Sequence, residues 1–301
     1  MKEKPVKKPF KQRFEEFKLR FMEWLDERKR QLKKNCNIIR ELVKKNVKIQ
    51  YRNSAIGAIW TVLNPLLNML VMFVVFSKLF GRDDPTYALY LLCGNVMFNT
   101  MRGATTQSLP CLVHNRGLLT KNRISYSVFP ISSNLSALVN FAFSLIALLG
   151  VMVVVHFQTF NNDAVGTIFS WNLLYIILMV PALFLFNYGI SLFLSALYVF
   201  FRDVQHFYTV FLTLWTYLTP IFYKKDMLEN NVLIQGIIKL NPMYHFVTFF
   251  RDIVYNVSAY GYAMGGGIWE SLGTLYLIGL LFLVLGGFVF VLTKRKFIFY
   301  I

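Results

Sequence analysis

Six apolar runs govern what this chain can fold into: about residues 57–80, 87–109, 129–155, 171–199, 204–223 and 268–293 each come near the length that crosses a bilayer. A hydrocarbon core ~30 Å thick takes about 20 helical residues. No water reaches that core, so only helices and closed barrels, which satisfy their own backbone groups, can cross it. The runs are continuously apolar rather than alternating, which selects helices. The expected fold is therefore an all-α polytopic membrane protein with six transmembrane helices. A hydrophobic share of 56% and a mean hydropathy of +0.48 over 301 residues exclude a soluble domain of this size.

Charge sets the orientation. Residues 1–52 hold 18 Lys/Arg against 7 Asp/Glu, so +11 of the net +17 precedes the first run. Arg116, Lys121 and Arg123 fall between runs two and three, and Lys294-Arg295-Lys296 follow run six. Basic flanks stay inside, which places these loops and both termini in the cytoplasm. The alternate loops, "GRDDP" and "QTFNNDAVG", are acidic or neutral. Concentration of the charge beside membrane segments argues against nucleic acid as a partner and for an anionic leaflet. The first fifty residues have no apolar h-region, so no cleavable signal peptide is expected. Cys36, Cys93 and Cys111, like His114, His156, His206 and His245, lack the spacing of a disulfide framework or metal site.

Two segments do not read as simple spans. Asn241-Pro242 splits an apolar stretch into halves, 232–240 and 242–255, each too short to cross. Crossing as one piece would put the basic tail outside. A re-entrant helical hairpin over about 232–255, dipping into the outer leaflet, satisfies both constraints. Ahead of the first run, residues 38–50 gather Ile38, Ile39, Leu42, Val43 and Val47 on one helical face, the pattern of an amphipathic helix on the inner leaflet. Residues 1–35 form a basic cytoplasmic extension, read as a charged helix or tail. Pro65 kinks the first span or lets it begin obliquely.

Catalytic chemistry is missing. The sequence has no GxxxxGK[ST], GxSxG or HExxH, and its few carboxylates sit at loop edges. That pattern favours a transport subunit energised by another chain over an embedded enzyme. The loop 109–130 is the candidate docking element at the cytosolic face, with Leu112, Val113, Asn115, Arg116, Gly117, Lys121 and Arg123 as its residues. Arg102, within the second run, either snorkels to the inner interface or meets an anionic group in a path. Trp215, Tyr217 and Tyr223 are further path candidates, since aromatic rings stack on sugars. "FFRDVQHF" and "FFRDIVYN" share a core, but their flanks differ and the repeat reads as chance.

Four stretches carry a resemblance: "YRNSAIGAIWTVLNPLL", "LFLSALYVFFRDVQHF", "LWTYLTPIFY" and "LNPMYHFVTFFRDIVY". In this order they resemble the permease subunits of type-2 ATP-binding-cassette exporters, within them the O-antigen, capsule and teichoic-acid export group. The resemblance covers about residues 36–301, the expected exporter domain. It implies a homodimeric permease paired with two copies of a separate ATPase, which holds the ATP and Mg; no cofactor is expected on this chain. It further implies export of an undecaprenyl-diphosphate-linked polysaccharide or teichoic-acid-like polymer across a bacterial cytoplasmic membrane. An exporter of drugs or small lipids is the alternative, and an envelope-biosynthesis enzyme a more distant one. Tyr51, Arg52 and Trp60 then fall at the cytosolic substrate entrance. Asn241, Pro242, Arg251 and Asp252 belong to the outer hairpin.

Overall fold

The computed structural model describes residues 10–51, 59–80, 85–121, 124–159, 171–223, 232–255 and 267–300. Among them every regular element is helical. The order is α1 (Phe10–Tyr51), α2 (Ile59–Phe80), α3 (Pro85–Ser108), α4 (Cys111–His114), α5 (Arg116–Lys121) and α6 (Val128–Thr159). A 3-10 turn (Trp171–Leu174) then leads into α7 (Tyr175–Phe200). The rest are α8 (Val204–Leu218), α9 (Val232–Leu240), α10 (Pro242–Tyr255), α11 (Ile268–Thr293) and α12 (Phe297–Tyr300). Three stretches are long and apolar enough to cross a membrane: Val128–Phe157, Trp171–Phe200 and Ile268–Thr293.

Side-chain pairs fix how the helices run. Tyr208 Oη donates to Thr105 Oγ1 at 2.7 Å, and the rings of Phe98 and Trp215 meet edge to face at 6.4 Å. Seven residues back along α3 match seven forward along α8, so these two are antiparallel. In contrast, Gly189 packs on Gly286 and Ala182 on Gly279, equal steps in the same sense, so α7 and α11 are parallel. Glycine at both positions lets the two backbones touch, which in a membrane replaces the missing hydrophobic drive between helices. Tyr276 Oη donating to the Leu178 carbonyl at 2.8 Å continues this register.

One end of the bundle is marked by a separate apolar cluster. Leu42, Leu112, Phe129, Leu192, Phe290 and Phe297 meet there, so α3, α7 and α11 all finish at it and α6 starts from it. The basic residues Arg116, Lys121 and Lys294–Lys296 are exposed at the same end. Asn134 of α6 stitches the helices just above, donating to Ser191 Oγ of α7 at 2.9 Å and to Ser108 Oγ of α3 at 3.4 Å.

This geometry decides where α9 and α10 lie. α8 runs against α3 and ends beside its start, where Tyr87 Oη and Tyr90 Oη donate to the carbonyls of Phe222 and Tyr223 at 2.6 and 2.7 Å. α11 is parallel to α7 and begins at that same end. α10 runs from Asn241, beside Trp215, back to Arg251 at the Tyr90 end of the bundle. The break between α9 and α10 falls at Asn241, as the sequence reading has it. Asn241 caps α10, its Oδ1 accepting from the Met243 N–H at 3.0 Å, and Pro242 fills the first helical position, where no N–H is needed.

One helix end, that of α8, differs from the sequence reading. α1 is a single 42-residue helix, ~63 Å long, continuous across residues 35 and 36. Asn46 donates to Ser136 Oγ at 3.3 Å and Asn140 to Gln50 Oε1 at 3.0 Å, which sets the last turns of α1 alongside α6, running in the same direction. α8 stops at Leu218, short of the expected 223, because Thr219–Tyr223 form a turn whose carbonyls are taken up by side chains. Pro65 sits inside α2 without ending it.

Candidate functional site

The turn after α8 is held by one cation. Arg251 of α10 is only 3% exposed. Its Nη1 donates to the Pro220 carbonyl at 2.6 Å, Nη2 to Ile221 at 3.1 Å and Tyr90 at 3.2 Å, and Nε to Tyr90 at 3.3 Å. The guanidinium also lies over the Tyr90 ring, 3.4 Å from its centroid. A fork with five fixed donors reaches two carbonyls of the turn and the Tyr90 carbonyl of α3 at once, which a lysine cannot do. Gly94 leaves room for it: a Cβ there would stand 2.6 Å from Nη2. Asp252, next on α10, is half-buried.

Asn241 and Trp215 form a second anchor. The Trp215 indole donates to Asn241 Oδ1 at 2.7 Å, and Asn241 Nδ2 donates to Thr219 Oγ1 at 2.9 Å. Because Trp215 is level with Phe98, the Asn241 break sits near the middle of α3. The structure therefore brings together Trp215 with Asn241 and Pro242, and Arg251 with the Tyr90 end of α3. Trp215 is 8% exposed, a packed core residue, whereas Tyr217 is 67% exposed and its carbonyl accepts from Tyr223 Oη at 3.0 Å.

Arg102 does not reach towards the basic end. By the α3–α8 register it is level with Phe211, yet its Nη2 donates to Thr216 Oγ1 at 2.7 Å, five residues further along α8. That is about 7.5 Å away from the basic end. The Thr216 hydroxyl in turn donates to the Leu212 carbonyl at 2.7 Å. Beside Arg102 on the same face of α3 stand Asn95, Asn99 and Thr106, with Asn99 Nδ2 donating to Asn95 Oδ1 at 2.6 Å. Thr209, Thr213 and Thr216 make the facing row on α8, with Thr209 and Thr213 exposed. Sequence reading found Arg102 but missed this polar seam; its signal is the heptad-like spacing of polar residues within apolar helices.

At the basic end the expected docking loop divides into an anchor and a presented piece. In α4, Leu112 is fully buried and Val113 half-buried. Asn115 turns the chain, its Nδ2 donating to the Cys111 carbonyl at 2.8 Å while its carbonyl takes the Leu118 N–H at 2.9 Å. α5 then exposes Arg116, Gly117, Leu118 and Lys121. A groove of about 530 Å³ separates α5 from α1, with Lys34, Glu41, Lys45 and Leu118 in its walls. Near it the Lys44 ammonium, 2.8 Å away, holds the exposed Glu41 carboxyl below its usual range. Burial pushes the Cys111 thiol up. Arg123 and Arg52 lie outside the described residues. Tyr51 ends α1 with its side chain undescribed, and Trp60 is half-buried on α2. The structure thus does not bring the three entrance residues into one described site. Among the described residues no group of His, Cys, Asp or Glu is placed to hold a metal.

Comparison with known proteins places this architecture. Residues 38–255 match the ABC-2 type transporter family. The chain is 27% identical over 256 residues to an O-antigen export system permease protein, RfbA, of Klebsiella pneumoniae, covering 85% of this chain and 92% of that protein. It is 29% identical over 229 residues to a protein of the same name from Myxococcus xanthus, covering 75% and 83%. The matched segment runs from the last turns of α1 through the Arg251 anchor, most of the bundle, and the chain belongs to the ABC-2 type transporter family.

Proposed function

We propose that this chain is the membrane-spanning permease subunit of an ATP-driven exporter that moves a lipid-linked polysaccharide of the O-antigen kind out across the cytoplasmic membrane. The observation that carries it is similarity to two named O-antigen export permeases over 92% and 83% of their lengths. The chain itself performs no catalysis. A separate ATPase, with its ATP and Mg, supplies the energy, since nothing in this sequence can cradle a nucleotide phosphate.

In the membrane the basic end is cytoplasmic. α2, α3, α6, α7, α8 and α11 are the six crossings, and α9–α10 is a hairpin that enters and leaves the outer leaflet. α5 presents Arg116 and Lys121 to the ATPase. A push on α5 reaches Leu112 through Asn115, and Leu112 belongs to the cluster shared by α1, α6, α7 and α11. Two copies of the chain enclose the path and bind two ATPases. Tyr51, Arg52 and Trp60 stand at the cytosolic entrance, Arg52 meeting the diphosphate of an undecaprenyl-linked glycan through bidentate bonds.

Removing the chain from its host tests the reading. Surface glycan is expected to vanish while lipid-linked glycan accumulates inside, and both are restored only when this chain and a hydrolysis-competent ATPase are present together. Normal surface glycan without the chain would overturn it.

A further inference from the structure

Among the described residues Arg102 has no carboxylate partner. Its Nη2 donates to the neutral Thr216, its guanidinium lies 5.3 Å from the Phe98 ring centroid, and Nε is buried without a hydrogen-bond partner among the described residues. None of the carboxylates that follow residue 52 lies within α2, α3, α6, α7 or α8, and Asp252 of α10 follows Arg251, which binds the Tyr90 carbonyl about 18 Å along α3 from Arg102. Asp203, just before α8, is level with Pro110, about 12 Å along the axis from Arg102, and the guanidinium points the other way. Glu270 opens α11 at the opposite end of the bundle. Among the described residues the cation is left to neutral partners, which leaves it able to take an anion from outside the protein.

The surroundings are built for water rather than lipid. Asn95, Asn99 and Thr106 continue the face of Arg102, and the threonines of α8 stand opposite. A Cβ added at Gly103 would meet nothing within 4 Å, so the seam opens onto free space beside the cation. Ionisable residues at membrane depth line wet cavities or bundle interiors.

We propose that Arg102, flanked by Asn95 and Asn99, is an anion-binding residue within the export path that receives the phosphate groups of the lipid-linked substrate part-way across. The proposal rests on the permease reading. Phosphate oxygens accept two parallel N–H bonds from one guanidinium, and the asparagine amides add neutral donors for the neighbouring sugar hydroxyls.

The test uses the full chain with its ATPase in membrane vesicles, with Cys36 replaced by serine and one cysteine introduced at Asn99. Thiosulfonate reagents of equal bulk and opposite charge are compared, with Leu281→Cys on the exposed apolar face of α11 as the lipid-facing control. The anionic reagent should outpace the cationic one about fivefold, relative to a free thiol in solution, and inorganic pyrophosphate should slow it. Arg102→Gln should abolish both effects while the chain still co-purifies with the ATPase, and Arg102→Lys should keep the charge preference. A cysteine at 99 as unreactive as the one at 281, or an unchanged preference in Arg102→Gln, would overturn the site. Labelling needs no export, so the site can fall while transport still supports the permease reading.

Discussion

Arg251 and Arg202 sit in the same five-residue phrase, Phe-Phe-Arg-Asp and an apolar residue, with opposite fates. Arg202 is exposed at the turn before α8, and Arg251 is buried against three carbonyls. Replacing Arg251 with Met removes the guanidinium donors from all three carbonyls in a dry site and leaves Pro220 only the longer bond from Tyr90 Oη at 3.4 Å, at a cost of about 3 kcal/mol. Thermal unfolding in detergent should drop sharply for that variant, with Lys recovering only part of the loss; a variant as stable as the parent would contradict the anchor. Glycines make a second pair of contrasts. A Cβ at Gly286 would fall on the Gly189 carbonyl, whereas one at Gly287 meets nothing. Gly286→Ala should destabilise by about 1–3 kcal/mol through overpacking, and Gly287→Ala should be neutral or slightly stabilising. Neither contrast was legible in the sequence, because both depend on which helix lies opposite. Asn241-Pro242 was legible, since a cap residue followed by proline marks a helix start whatever surrounds it.

Among the elements, α9 and α10 fall where sequence reading set their bounds, because two halves too short to cross leave few alternatives. The short α8 was not legible: its apolar character runs on to Tyr223, and only the long-range bonds to Tyr87, Tyr90 and Arg251 show why the helix stops. The hairpin makes a direct prediction about sidedness. Single cysteines at Asn230 and Asn256, which lie outside the described residues, should both react with an impermeant thiol reagent added outside, and one at Lys296 only after the membrane is opened. Cys36 is replaced for this purpose; Cys93 and Cys111 are buried, and burial keeps the Cys111 thiol from ionising. Labelling of 230 and 256 from opposite sides would make α9–α10 a crossing. For α5, Arg116→Glu with Lys121→Glu should leave insertion intact and uncouple hydrolysis from export; unaffected export in the double variant would place the ATPase contact elsewhere.

At the scale of the whole molecule, the parallel packing of α7 and α11 is what makes the topology consistent. It requires an odd number of passes between them, and α8, antiparallel to α3, is one such pass. From run length the sequence reading reached an all-helical membrane fold, which the helices bear out. It could not reach the continuity of α1 past residue 35, because charge density in the extension masks its helical spacing. The polar seam on α3 and α8 also escaped, since apolar neighbours in each run outweigh a residue every three or four positions. The central claim is that this helical bundle moves glycan outward using a partner's ATP. Inverted membrane vesicles test it most directly: glycan on its lipid carrier, supplied at the exposed cytoplasmic face, should become protected from an added glycosidase only when this chain, its ATPase and ATP-Mg are all present. Protection without ATP, or with the ATPase alone, would contradict the account.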